Sequence, residues 1–209
     1  MTWEIYSSCY GSPVILERNT FCETNDPFVR TDLNPVRRAR QAKILGCLQL
    51  ESEIAVYCDS AIEIGPRVSN LVERFAASQA VFGAFRHVSH ECTYTEAETI
   101  LRLGLDIELT VRPQMRRYQA SNFPKDWGLF ETGFCMFRTS ECRAMCEAWW
   151  SEIEQGSHRD QLSLMPVLFR LGIPVFSFGT DLRKCEHLMF LKQEISDRHS
   201  KKNRRISWL

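Results

Sequence analysis

Asp59 stands directly after the five-residue apolar run Ile54-Ala55-Val56-Tyr57-Cys58. A run of that length and composition reads as a buried strand, so the acid sits at a strand end. A carboxylate there can hold a divalent cation that neutralises a diphosphate, or it can simply cap the next turn. Glu63 is close enough in sequence to assist, although its expected place is the next short strand. A second cluster, Arg159-Asp160-Gln161, places a cation, a carboxylate and an amide in a turn between two apolar helices. This is a fork of donors and acceptors suited to a phosphorylated or polyhydroxylated ligand. The same residues also suit a plainer role, with Asp160 as a helix cap and Arg159 solvated. Arg37, Arg40 and Lys43 recur at i, i+3 and i+6 along one helix flank, where they could bind phosphates or form a solvated face. His87 and His90 flank a turn and are candidates for a general base or a metal ligand. Glu131 lies between Gly128 and Gly133, whose small size permits close approach of backbone to ligand; on its own such an acid also suits a structural role.

The elements that must position these groups alternate in type. Trp3–Tyr6 and Val14–Leu16 read as short strands around a Gly11-Ser12-Pro13 turn. A basic helix spans 36–50 with Pro35 in its first turn. Pro66 opens a helix whose stripe is Val68, Leu71, Val72, Phe75 and Ala76. Residues 81–87 suggest a strand, and Thr93 to Glu96 has capping-box spacing at the start of a helix that runs to Gly104. Leu105–Val111 alternates like a half-buried strand, followed by an aromatic and basic loop from Arg112 to Trp127. Phe134–Phe137 is a strand. A helix capped by Thr139 or Ser140 then carries Cys142, Met145, Cys146, Trp149 and Ile153 on one face and stops at Gly156. Another helix begins at Asp160, placed to accept backbone N–H groups, and ends at Gly172. Ile173–Phe178 is the last strand. This order predicts an α/β fold, with an open, mixed, mostly parallel sheet flanked by helices. One domain over 1–180 is expected, followed by a basic extension at 181–209.

Composition narrows the function. The 209 residues are 44% hydrophobic and 25% charged, with 26 basic and 26 acidic side chains, so no net charge draws the chain to nucleic acid or anionic membrane. No run approaches the roughly 18 apolar residues of a membrane span, and no basic-then-apolar leader opens the chain. Nine cysteines include no C-x-x-C pair; their odd number points to reduced, buried thiols and a cytoplasmic setting.

Five segments, in order, resemble the glycosyltransferase-like domain of plant mucilage-related hexosyltransferases and their microbial and viral relatives. They are Asn34-Pro35-Val36-Arg37-Arg38-Ala39-Arg40-Gln41-Ala42-Lys43-Ile44-Leu45; Val56-Tyr57-Cys58-Asp59-Ser60-Ala61-Ile62; Cys92-Thr93-Tyr94-Thr95-Glu96-Ala97; Asn122-Phe123-Pro124 with Gly128-Leu129-Phe130-Glu131-Thr132-Gly133; and Trp149-Trp150-Ser151-Glu152-Ile153 with Arg159-Asp160-Gln161-Leu162-Ser163. The match runs over roughly residues 34 to 179. The resemblance implies a compact A-type fold, a nucleotide-sugar donor, a glycan or other hydroxyl acceptor, and a divalent metal, manganese or magnesium, with Asp59 as the metal or ribose contact. It implies that Arg40 and Lys43 face the diphosphate, and that Glu131, Arg159, Asp160 and Gln161 line the sugar and acceptor pocket, with Asp160, Glu131 and Gln161 as the catalytic candidates. Arg37, His87, Tyr118 and Trp150 complete the expected substrate-binding set. The chain departs from the family pattern in three places. Asp59-Ser60-Ala61 replaces Asp-Gly-Asn, Gly46-Cys47 replaces Pro-His, and the N-terminus is short. The first nucleotide-binding unit is therefore either missing or compressed into Ile5–Gly11. Two activities follow: sugar transfer, or carbohydrate binding without catalysis on a degenerate scaffold. Nucleic-acid binding through the basic tail is a weaker third, since no recognition motif accompanies it.

Overall fold

The computed structural model describes residues 1–10, 19–21 and 29–190. The expected strand at Val14–Leu16, the turn before it and the basic tail at 191–209 lie outside the described residues. Eight strands and six α-helices are described: β1 Trp3–Ser8, β2 Asn19–Phe21, α1 Pro35–Leu45, β3 Ile54–Cys58, β4 Ile62–Ile64, α2 Val68–Ala77, β5 Phe82–Arg86, α3 Thr93–Arg102, α4 Glu108–Ala120, β6 Phe130–Arg138, α5 Arg143–Gln155, α6 Gln161–Leu171, β7 Val175–Thr180 and β8 Leu188–Phe190.

Six strands form one open sheet in the order β2-β1-β3-β6-β5-β7. The β1–β2, β1–β3 and β5–β7 pairs are parallel, and β6 runs antiparallel to both its neighbours. The sheet is therefore mixed and α/β. Residues of β3 alternate between two cores. Ile54, Val56 and Cys58 face one with α2, whereas Ala55 and Tyr57 face the larger one with α1 and α3 to α6. Both faces are covered, which explains why the β3 segment is continuously apolar rather than alternating.

One irregularity shapes the site. Ala84 pairs with Cys135 but the next residue, Phe85, pairs with Glu131, so residues 132–134 of β6 bulge away from β5. Bulges of this kind re-aim side chains beside functional clefts. A small two-stranded sheet, β4 against β8, packs nearby. Residues 188–190, in the stretch assigned by sequence to an extension, thus pair with β4.

The helices hold three corrections. Leu105–Val111 is not a strand, nor is Arg112–Trp127 all loop, because both contribute to α4. Its buried residues Val111, Gln114, Met115 and Tyr118 follow helical spacing, while Leu109, part of the apparent alternation, is 86% exposed. Pro113 lies inside α4 without ending it. The capping box at Thr93 does not form, since Glu96 instead pairs with His90. Neither Thr139 nor Ser140 caps α5: the Thr139 hydroxyl donates to the carbonyls of Ser52 and Glu53. Pro35 does open α1, where the Asn34 side chain accepts from the Arg37 amide, and Gly172 ends α6 at φ +66°.

Candidate functional site

The carboxyl ends of β1, β3 and β5 lie along one edge of the sheet. Because β6 is antiparallel, its opening residues Phe130 to Gly133 reach the same edge. Ligand clefts in open α/β sheets form at this edge. A cleft of about 340 Å³ lies here, lined by Arg40, Lys43, Asp59, Ala61, Ile62, His87, Glu131, Thr132, Gly133, Arg159, Asp160, Gln161, Leu182 and Arg183. A second hollow of about 300 Å³ shares Arg40, Asp59 and Ala61 with it and extends towards Ser8, Cys9 and Tyr10 past β1.

Lys43 organises the cleft floor. Its side chain is 1% exposed, and its Nζ lies 2.7 Å from Asp160 Oδ2 and 3.8 Å from Asp59 Oδ1. It also sits over the Tyr57 ring, 4.9 Å from the centroid. An ammonium this deeply buried demands such partners. Arg40 Nε donates to the His158 carbonyl at 3.3 Å and lies 3.6 Å from Asp160 Oδ1. The two acids, 101 positions apart in sequence, therefore share one lysine. Burial alone would raise the Asp160 carboxyl, but Arg40, then Lys43 and Arg159, outweigh it and hold that carboxyl well below the usual range. Asp160 is thus an anion that fixes two cations. It makes no side-chain cap to α6, which corrects its expected cap role.

Asp59 is 40% exposed at the junction of the two hollows. Its Oδ1 accepts from the Tyr57 hydroxyl at 2.7 Å, and Tyr57 in turn contacts the Ser8 hydroxyl at 3.0 Å. Its backbone N–H donates to the Gly133 carbonyl at 2.8 Å. A Cβ at residue 133 would come within 3.3 Å of Asp59 Oδ2 and of the Ile62 and Leu182 side chains, so glycine permits this close approach. Glu131 pairs with Arg183 at 3.3 Å, and burial raises its carboxyl against the pull of that guanidinium. Gln161 Nε2 donates to the Phe130 carbonyl at 3.2 Å, fixing the amide at the cleft wall. The Nε of Arg159 is buried without a hydrogen-bond partner among the described residues, which suits a cation awaiting an anion.

The loop 156–160 is firmly held. Ser157 and His158 both engage Asp106, at 2.5 and 3.1 Å, and the Ser157 amide donates to Gln114 at 2.9 Å. Trp149 Nε1 donates to the Asp160 carbonyl at 3.0 Å from inside the core.

Of the expected site residues, the cleft gathers Asp59, Arg40, Lys43, His87, Glu131, Arg159, Asp160 and Gln161. Three lie elsewhere. Arg37 binds the Ile153 and Gly156 carbonyls and so satisfies the C-terminal end of α5. Trp150 is buried in the larger core. Tyr118 is buried and donates to Glu152 at 2.9 Å. Each was expected at the ligand, and each instead carries scaffold. His87 is corrected in role. Its Nδ1 accepts amide N–H groups from Ser89 and His90 at 3.2 and 2.9 Å, so the neutral ring carries its proton on Nε2. Burial lowers its pKa, with Glu96 opposing, and the ring presents a donor rather than a base. Thr132, Leu182 and Arg183 were missed. The rule that singled out Asp59, an acid just past a buried strand, applies equally to Asp181-Leu182-Arg183 after β7.

Metal capacity is uneven. Asp59 is the acid placed to meet a cation at the cleft junction, in the one-carboxylate manner that magnesium and manganese use with substrate phosphates. His87, His90 and Glu96 come together, but the amides on His87 Nδ1 oppose ligation there. Cys47, Cys142 and Cys146 meet in the core, with the Cys47 sulfur 3.8 and 3.5 Å from the other two. These three thiols are one ligand short of a closed structural zinc site.

No protein-family model matches the chain, and no curated protein matches it. Among solved structures it is similar to mouse xyloside xylosyltransferase 1 in its apo form, at 13% identity and a TM-score of 0.41, over 68% of this chain and 50% of that one. It is also similar to a glycosyltransferase involved in the glycosylation of the major capsid of PBCV-1, at 11% identity and a TM-score of 0.46, over 96% of this chain and 99% of that one. The chain thus spans half the length of the mouse enzyme. At such identities and scores the likeness bears on neither substrate nor chemistry. No described helix is long and apolar enough to cross a membrane.

Proposed function

We propose that this protein transfers a sugar from a nucleotide-sugar donor to a hydroxyl acceptor. One observation carries the reading: Asp59 and Asp160, brought together through Lys43, face a cleft that also collects Arg40, Arg159, Glu131 and Gln161. The motif resemblance supports it, because four of its five segments, distant in sequence, contribute residues to this cleft.

In this reading the nucleotide occupies the hollow past β1, and its diphosphate lies against Arg40, Lys43 and Arg159. A divalent ion held by Asp59 would draw further charge from the diphosphate. The acceptor oxygen bonds to the anomeric carbon as the bond from that carbon to the diphosphate oxygen breaks, and the bonding pair leaves with the diphosphate. The acceptor proton passes to Glu131, whose basicity burial has increased. Cations fixed before the reaction stabilise the departing charge without reorganising.

A second reading, carbohydrate binding without transfer, draws on Ala61, which lines both hollows and offers no side-chain donor where the resembled family has an amide. Thermal shift and hydrolysis assays with UDP- and GDP-sugars, with and without manganese, separate the two. Transfer predicts a raised melting temperature, slow donor hydrolysis, and loss of both in Asp59→Ala. Absence of any shift or hydrolysis across the donors defeats it. Saccharide binding that needs neither nucleotide nor metal then favours the second.

A further inference from the structure

His87 has cavities on two sides. Beyond the charged cleft lies a larger one of about 550 Å³, which His87 lines together with Arg86, His90, Glu91, Asp126 and Trp127. Its volume is in the range of small-molecule sites. Of the ionisable residues singled out in the sequence only His87 and His90 line it, and the proposed donor chemistry makes no use of it.

Trp127 gives this cavity its character. The indole packs nearly perpendicular to Phe169, with centroids 4.9 Å apart, yet is 47% exposed. It is held on a turn whose next residue, Gly128, has φ +90°, while Leu129 is buried as an anchor. The backbone is locked to the neighbouring strand by the His87 amide, which donates to the Leu129 carbonyl at 2.9 Å. An aromatic surface pinned in this way offers apolar contact at little entropic cost. Asp126 and Glu91 make no ion pair or hydrogen bond within the described chain. His87 is fixed as an Nε2 donor, and His90 is held by Glu96 at 2.6 Å.

The two cavities differ in charge. The first carries four cations against three carboxylates, whereas the second carries one cation, Arg86, against two carboxylates. A diphosphate is favoured in the first and repelled by the second. A neutral polyol has no such penalty and finds hydroxyl acceptors in the carboxylates. The geometry points to the Trp127 cavity as a binding site for a neutral saccharide, stacked on the indole and hydrogen-bonded to Asp126, Glu91 and His87. Its role as the acceptor site rests on the transfer reading; saccharide binding itself does not.

Saturation-transfer NMR and titration of tryptophan fluorescence, with the full chain and a panel of cellobiose, maltose, mannobiose and xylobiose, test it without nucleotide or metal. At least one disaccharide is expected to bind. Trp127→Ala should weaken that binding tenfold or more, Trp127→Phe should restore most of it, and Asp126→Asn should weaken it severalfold while the fold is unchanged by circular dichroism. Asp59→Ala should leave it intact. No binding across the panel, or binding indifferent to both Trp127→Ala and Asp126→Asn, overturns the inference. If nucleotide sugars fail to bind while the Trp127-dependent saccharide signal stands, the transfer reading falls and this site survives. The converse result removes the site alone.

Discussion

Asp160 and Glu152 invite comparison, since each is a buried carboxylate with two basic partners and a nearby tyrosine. Glu152 accepts from the Tyr118 hydroxyl, pairs with Arg117, and lies 3.2 Å from Arg170. Asp160 pairs with Lys43 and Arg40, beside Tyr57 and Asp59. The difference is where the cations sit. Arg117 and Arg170 are roughly half exposed and close over their acid from solvent, whereas Lys43 is enclosed and its array opens on a cleft. A carboxylate with two cations thus makes a surface clasp in one place and a preassembled charge array in the other. Burial of the cation, rather than presence of the pair, separates the two.

The largest expected effect is at Lys43. Lys43→Met leaves the Asp160 anion buried with Arg40 as its remaining close partner, and should cost about 3–5 kcal/mol in denaturant unfolding. Adding Asp160→Leu should recover part of that stability while nucleotide-sugar binding stays lost. Equal stability of the single variant and the wild type would break the comparison. Acid comes next. Because the Asp160 carboxyl is depressed in the folded state, its contribution is complete above the unfolded value of about 3.9 and is lost as pH falls through the folded value. Urea midpoints measured from pH 5 to pH 2 should therefore fall more steeply in the wild type than in Asp160→Asn. Glu152→Gln is milder, at about 1–2 kcal/mol, because its arginines can hydrate once released. It should leave the melting shift caused by nucleotide sugars unchanged; loss of that shift would place the Glu152 clasp in the site after all. Arg143→Ala, which removes an exposed pair with Glu147 3.4 Å away, should change the unfolding free energy by less than about 0.5 kcal/mol.

The same contrast explains what could be read from sequence. Local patterns revealed β3 with Asp59 at its end, and α5 and α6 on either side of Arg159-Asp160-Gln161, because strand and helix periods are properties of consecutive residues. They could not reveal which side of an element would face a void. Trp150 and Tyr118 are types that often touch ligands, but each is turned inward by packing among α3 to α6. Arg37 shares a helix with Arg40 and Lys43, yet it lies in the first turn, where it meets the end of α5. The helix α4 was hidden by Ile107 and Leu109, apolar residues that are exposed and so mimicked a strand's inward face. Arg183 was overlooked because its neighbours looked like the start of a tail.

The bulge in β6 bears on how this chain can change over time. Residues 132–134 carry no pairing with β5, so a replacement at Thr132 can reshape the ligand chamber without disturbing the ladder. A single residue inserted among Cys135 to Phe137 has a different fate: it would swap inward and outward side chains along the rest of the strand and bring down both cores. Drift in what the protein accepts should therefore concentrate at Thr132, since Gly133 is hemmed in by Asp59 and Phe134 is buried and paired with Cys58 of β3.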